Sequence, residues 1–232
     1  MIKFDGIALE DVANVKIVDI KVSPISTEQV ARVNYGTGST FVRTRDGQRT
    51  VTITFALLDS DIDNRVDVLQ SITEWAKNDK EYTLQLPMQS NKHLECLCTE
   101  RPDPSYRMWW ESKLRLTFTT FANPYWTSDN VTEVQCGQTF TVAGSAVPLM
   151  TIERNVLATL TNQSYICGSD VMRFTQIPAG KLLIDLNKQL ISVSGSTIMQ
   201  YLTPTSVFIK PQIGANQKIT GTGTIKFRER WL

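Results

Sequence analysis

Histidine occurs once in this 232-residue chain, at His93, and cysteine four times, at Cys96, Cys98, Cys136 and Cys167. One histidine leaves little of the commonest general base for hydrolytic chemistry, and no Gly-x-Ser-x-Gly elbow presents a serine. Four scattered cysteines do not make a dense disulfide framework, and a chain this long can bury a core without one; they are expected to be reduced thiols acting as small apolar groups. Excess charge is missing too: 24 Lys and Arg stand against 23 Asp and Glu, so a net charge of +1 sets up no long-range attraction to nucleic acid or anionic lipid. Long apolar runs are absent. Asp5 falls where a secretion signal needs continuous apolar residues, and no later run approaches membrane-spanning length, so a soluble compartment and no membrane are expected.

What the chain does have is alternation with period two, over a globular composition that is 41% hydrophobic. In Arg49 to Leu58, Val51, Ile53, Phe55 and Leu57 fall on one face and Thr50, Thr52 and Thr54 on the other, the signature of a half-buried strand. Lys113 to Phe121 repeats it with Leu114, Leu116 and Phe118 inward. One segment, Ile62 to Lys77, has helical spacing instead: Ile62, Val66, Leu69, Ile72 and Ala76 recur at three- and four-residue steps. Ser60 and Asp63 suit a capping box, Asp59, Asp61 and Asp63 suit the positive end of the helix dipole, and Lys77 suits the other.

Asn123-Pro124-Tyr125-Trp126 closes one strand series with a proline and leads into a polar stretch, which places a domain boundary between residues 127 and 128. Residues 128–232 read as all-β. Lys181 to Asn187 and Gln189 to Val193 form a hairpin turning near Asn187 and Lys188. Lys218 to Leu232 reads as one closing strand with Ile219, Ile225, Phe227 and Trp231 inward and Lys226, Arg228 and Arg230 outward, bent at Gly221 and Gly223.

The candidates for chemistry are few. His93 beside the predicted strand Leu94 to Cys98 is read as a polar residue at a strand edge. Cys96-Leu97-Cys98 puts two thiols on one strand face, but zinc ligands pair across tight turns and no second close pair exists. Asp59 to Asn64 lacks the sixth-position glycine and twelfth-position glutamate of a calcium loop. Gly36-Thr37-Gly38, Gly221-Thr222-Gly223 and Gly180-Lys181 each lack the remainder of a nucleotide-binding motif. Trp109-Trp110, Tyr125-Trp126 and Trp231 are either plugs of a β core or an exposed stacking or interface platform. No pair of acids is singled out for glycoside hydrolysis. The chain is therefore expected not to be an enzyme, with no catalytic, cofactor-binding or metal-binding residue assigned.

Gly180-Lys181-Leu182-Leu183-Ile184-Asp185, Lys188 to Gly195, Phe208 to Gly214 and Ile225 to Leu232, opened by Pro148-Leu149-Met150-Thr151-Ile152, together resemble the distal tail protein family of siphophages. The N-terminal half is similar in shorter patterns: Phe4-Asp5-Gly6, Arg45-Asp46-Gly47-Gln48-Arg49, the lone helix and Asn123-Pro124-Tyr125. Pro211-Gln212-Ile213-Gly214 departs from the family's proline-glycine turn, and the C-terminal half carries no insertions. The resemblance implies a mainly β protein: residues 1–127 a ring-forming, β-sandwich-like domain with one α-helix and a projecting hairpin, and residues 128–232 a galectin-like β-sandwich. It further implies a virion protein of the tail tip, assembled in the bacterial host's cytoplasm. Its partners would be copies of itself in a homohexameric ring (packed as two rings in some crystals), the tail tube protein, the tip hub protein and a receptor-binding protein, with DNA only passing through a central channel. The polar segment Asn34 to Arg49, glycine-rich and charged, is the expected ring contact through Arg43, Arg45, Asp46 and Arg49. The competing expectation is a carbohydrate-binding module that touches the host cell wall, since sandwiches of this kind can bind sugar.

Overall fold

Residues 1–34, 38–58, 62–102 and 113–232 are described by a computed structural model, without side chains for 28–34, 38–45 and 62–63. They divide into two compact units, Met1–Trp126 with Leu232, and Thr127–Trp231. Antiparallel strands dominate both.

The first unit contains β1 (Lys3–Phe4), β2 (Ile7–Ala8), a short α1 (Leu9–Val12), β3 (Val15–Val22), β4 (Thr27–Asn34), β5 (Gly38–Asp46), β6 (Thr50–Leu57), α2 (Ile62–Trp75), β7 (Tyr82–Gln85), β8 (Lys92–Glu100) and β9 (Leu114–Thr119), with β10 (Trp126–Ser128) at the boundary. Its main ladder runs β2-β1-β7-β8-β9-β6-β3. β8 links two layers: His93 to Cys96 pair with β7, whereas Leu97 to Glu100 pair with β9 across a register slip, and a strand that changes partners this way turns a sandwich corner. The expected inward sets are observed, with Val51, Ile53 and Phe55 of β6 and Leu114, Leu116 and Phe118 of β9 all buried. Leu57 is only half-buried.

Helix α2 is shorter and its stripe narrower than its spacing predicts. Leu69, Ile72 and Ala76 are buried but Val66 is 47% exposed, so the apolar face begins a turn later. The helix ends at Trp75; backbone bonds from Ala76 to Ile72 and from Lys77 to Glu74 close its last turn, leaving Lys77 outside it. Ser60, Asp59 and Asp61, expected to cap it, lie outside the described residues, as does the side chain of Asp63.

The second unit contains β11 (Thr132–Gln135), β12 (Thr139–Val142), β13 (Ala146–Val156), β14 (Leu160–Cys167), β15 (Asp170–Ile177), β16 (Gly180–Asp185), β17 (Leu190–Val193), β18 (Ser196–Thr197), β19 (Gly214–Lys218) and β20 (Thr224–Trp231). One layer is a sheet in the order β18-β17-β16-β13-β20-β11. The other comprises the pairs β12-β19 and β14-β15, joined by a bridge between Ile166 and Thr220. Met150, Ile152, Leu182, Ile184, Ile191, Ile225 and Phe227 from the first meet Phe140, Val142, Tyr165, Met172, Phe174 and Ile177 from the second in one buried cluster. Each such side chain contributes about 1.5–3 kcal/mol, which is what holds two polar-backed layers together.

The predicted 181–193 hairpin is present, and its turn is built by hydrogen bonds. Asp185 Oδ1 accepts from the backbone N–H groups of Asn187 (3.0 Å) and Lys188 (2.9 Å), while Asn187 accepts from Met150 N–H (2.7 Å) and donates to Pro148 carbonyl (2.9 Å). The expected single strand Lys218 to Leu232 is corrected: only Thr224–Trp231 is strand, β20, while Lys218 is the last residue of β19 in the other layer. The chain breaks at Gly221 and Gly223, with φ of +145° and +131°, because neither position has room for a side chain. A Cβ on Gly221 would lie 2.4 Å from the Tyr165 ring, and one on Gly223 would lie 2.5 Å from Glu153 carbonyl oxygen. Tyr165 is locked in this position, 1% exposed, with its hydroxyl donating to Thr222 carbonyl at 2.9 Å.

Candidate assembly surface

β4 and β5 form a two-stranded hairpin whose register runs from Thr27 opposite Asp46 to Asn34 opposite Gly38. Among the described residues neither strand pairs with a third. The polar segment Asn34 to Arg49 therefore holds only the second strand of the arm. Thr27 to Asn34 is the half that sequence reading missed, because Thr-Glu-Gln-Val-Ala-Arg-Val-Asn has too few apolar residues to announce a strand. Arg43 lies opposite Val30 and Arg45 opposite Glu28 in the backbone register of the arm.

The base of this hairpin is anchored by polar bonds. Ser26 donates its N–H to Gln48 carbonyl (2.9 Å) and accepts from Gly47 N–H (2.7 Å), and Ser23 Oγ accepts from Thr50 N–H (2.8 Å). Arg49 N–H donates to Thr120 Oγ1 at 2.9 Å, and Thr120 N–H returns a bond to Arg49 carbonyl at 3.0 Å. Tyr125 donates its hydroxyl to the exposed carboxylate of Asp46. Glu81 Oε1 accepts from the N–H groups of Phe121 (2.7 Å) and Ala122 (3.1 Å), which fixes the segment that carries Thr120 and Tyr125. The arm thus springs from a rigid root.

Of the four expected contact residues, Asp46 is at the surface, Arg43 and Arg45 are on the arm, and Arg49 is 4% exposed inside the protomer. Its Nε and Nη1 have no hydrogen-bond partner among the described residues, and burial lowers its pKa. A buried cation with two of its three nitrogens unpartnered opposes folding. Replacing it by an unbranched apolar side chain, Arg49→Met, is expected to raise protomer stability by about 1–3 kcal/mol, read as a higher urea midpoint at unchanged slope. A lower midpoint would show that the guanidinium is compensated after all.

The other singled-out residues do not gather into a reaction centre among the described residues. His93 is not at a strand edge but within β8, 4% exposed. Cys96 and Cys98 are buried on the same strand, and burial pushes both thiols up, away from the thiolate that nucleophilic or metal chemistry needs. Cys136 and Cys167 are half-buried, unbridged and shifted the same way. Trp126 is buried and Trp231 half-buried, while Trp109 and Trp110 lie outside the described residues. No described helix is long and apolar enough to cross a membrane.

Two antiparallel β units in tandem, the first carrying a long helix and an anchored hairpin arm and the second a two-layer sandwich, define the class of architecture. No protein-family model matches the sequence, and no curated protein matches it. Solved structures do. The fold is similar to that of the SPP1 Dit protein, described as a paradigm of the hub adsorption apparatus in phages infecting Gram-positive bacteria, with a TM-score of 0.75 and 18% identity over 100% of this chain and 98% of that one. It is also similar to chains of the phage p2 baseplate in its activated conformation, with strontium and with calcium. Both have a TM-score of 0.50 and 9% identity, over 94% and 95% of this chain and 90% and 91% of theirs. At such identities the likeness is one of fold.

Proposed function

We propose that this chain is a structural component of a phage tail tip. In that role it forms a homohexameric ring that joins the tail tube to the tip hub and receptor-binding proteins, assembled in the host cytoplasm and retained in the virion. The observation that carries the reading is the similarity to SPP1 Dit across both units at once, since a shared single sandwich is common whereas the same two units in the same order are not. A ring of one chain needs two surfaces that mate head to tail, and the anchored arm β4-β5 is suited to be one of them. Arg43, Arg45 and Asp46 would make its contacts, with Arg49 acting from inside the root. A net charge of +1 suits a channel through which DNA slides, because each neutralised phosphate would add salt-dependent retention.

The purified chain should scatter light as a particle of six times 26.1 kDa and appear as a ring in negative stain. Reversing both arm charges, Arg43→Glu with Arg45→Glu, is expected to reduce it to the protomer mass while leaving the thermal transition in place. An intact ring from the double variant would remove the arm from the interface, and a wild-type protomer at every concentration would remove the self-assembling ring.

A further inference from the structure

Among the described residues, Arg49 alone buries side-chain nitrogens without a hydrogen-bond partner. Folded proteins pair nearly all such groups, so a solitary exception at the root of the arm needs a cause. The Arg49 backbone is tied to Thr120 through its N–H and its carbonyl. Its side chain is not tied: Nε and Nη1 have no polar bond to break, and Gln48 beside it and Phe121 beside Thr120 are both exposed, so the surface is one residue away on either strand. Burial alone lowers its pKa. Two acids of the root are engaged elsewhere, Asp46 by the Tyr125 hydroxyl and Glu81 by the N–H groups of Phe121 and Ala122.

A matching exception lies on α2. Val66 has core spacing yet is 47% exposed, and the carboxylate of the adjacent, exposed Asp67 makes no ion pair or hydrogen bond among the described residues. The helix carries Asp63, Asp67 and Glu74 against Arg65, whereas the arm strands carry Arg32, Arg43 and Arg45 against Glu28 and Asp46. One chain thus holds an acidic element and a cationic one. Arg49 and Asp67 stay apart within a protomer: Trp75 packs on Phe118, which lies opposite Val51 next to the root, and about 12 Å of helix separates that end of α2 from Asp67. A head-to-tail ring brings unlike surfaces of neighbouring copies together. We infer that Arg49 pairs with Asp67 of a second copy, the guanidinium reaching from the root of the arm to the carboxylate and Val66 being covered by the same contact. The inference rests on the ring proposed above and names its ion pair. A guanidinium that opposes folding of the lone protomer then favours the assembled state, where the carboxylate supplies the missing partners.

Sedimentation equilibrium of the full chain, with Arg49→Met, Asp67→Asn and the two combined, tests this. Each single change should raise the dissociation constant of the ring contact about 30-fold or more, the loss that follows removal of one member of a close interfacial charge pair. The combined variant should be no weaker than Arg49→Met alone, because both changes delete one interaction. Arg49→Lys, which keeps the charge without the fork, should retain part of the affinity. Below the assembling concentration, Arg49→Met should raise the urea midpoint while Asp67→Asn leaves it in place. Opposite effects of one substitution on protomer and ring are not given by an arginine that merely packs. A ring as tight as wild type in either single variant, or losses that add, would overturn the inference. So would sodium acetate or phosphate raising the midpoint of the wild-type protomer but not of Arg49→Met, since a free anion would then fill the site. If Arg43→Glu with Arg45→Glu breaks the ring while Arg49→Met and Asp67→Asn leave it intact, the ring stands and this pair falls; a wild-type chain that stays a protomer at every concentration removes both.

Discussion

Gly223→Ala should cost the second unit at least about 3 kcal/mol and lower its thermal midpoint by roughly 12 °C or more. At φ +131° the backbone is in a region nearly closed to residues with a side chain, and the added carbon would sit 2.5 Å from Glu153 carbonyl oxygen. That oxygen belongs to backbone, not to a side-chain tip that could swing away. Relief requires β13 and β20 to separate where Glu153 pairs with Thr224, the pair that closes their ladder. Gly137→Ala is the control. Its φ is +92° but nothing lies within 4 Å of the added carbon, so only the conformational cost, about 1 kcal/mol, should appear. Differential scanning calorimetry on both variants decides; equal losses would mean that close approach at Gly223 is not what breaks the strand.

Phe4→Ala should be the most damaging single truncation in the first unit, at about 3–5 kcal/mol. Phe4 is 2% exposed and sits among three rings, with centroids 5.1 Å from Phe118, 5.7 Å from Trp75 and 5.9 Å from Tyr82. Those rings come from β9, α2 and β7, so a two-residue strand near the N-terminus closes a cluster drawn from the whole unit. Truncation removes buried area, leaves a cavity between elements that cannot all collapse at once, and deletes three edge-on or tilted aromatic contacts. Urea unfolding should show the transition of this unit at lower denaturant while the other stays in place. Ile7→Ala, at a residue 54% exposed immediately after the Asp5–Gly6 turn, should shift it by less than about 0.5 kcal/mol.

Several elements could be read without coordinates because their signal is local. The threonines between Val51, Ile53 and Phe55 reveal a strand with one wet face wherever that strand sits, and the same holds for Leu114 to Phe118 and for the hairpin turning at Asn187. Helix α2 was legible in type but not in detail. Val66 has helical spacing yet is 47% exposed, because the sequence does not say how wide a neighbour the helix must cover. The arm was half legible: β5 follows from a charged, glycine-flanked segment leading into β6, but β4 lacks any apolar alternation and became visible only as the partner of β5. Nothing near Tyr125 announced its bond to Asp46, 79 residues earlier, and nothing near Glu81 announced the N–H groups of Phe121 and Ala122.

The sequence by itself determined that this is a β protein with one substantial helix, since alternation and three-to-four spacing depend only on a residue and its near neighbours. Only the tertiary structure decided that Lys218 to Leu232 is divided between two layers, that Arg49 points inward, and that Glu133, Glu153, Lys181 and Lys226 converge on one face. Those outcomes rest on which strand lies beside which, and at what register. Register is set by contacts between residues tens of positions apart, so no local pattern contains it.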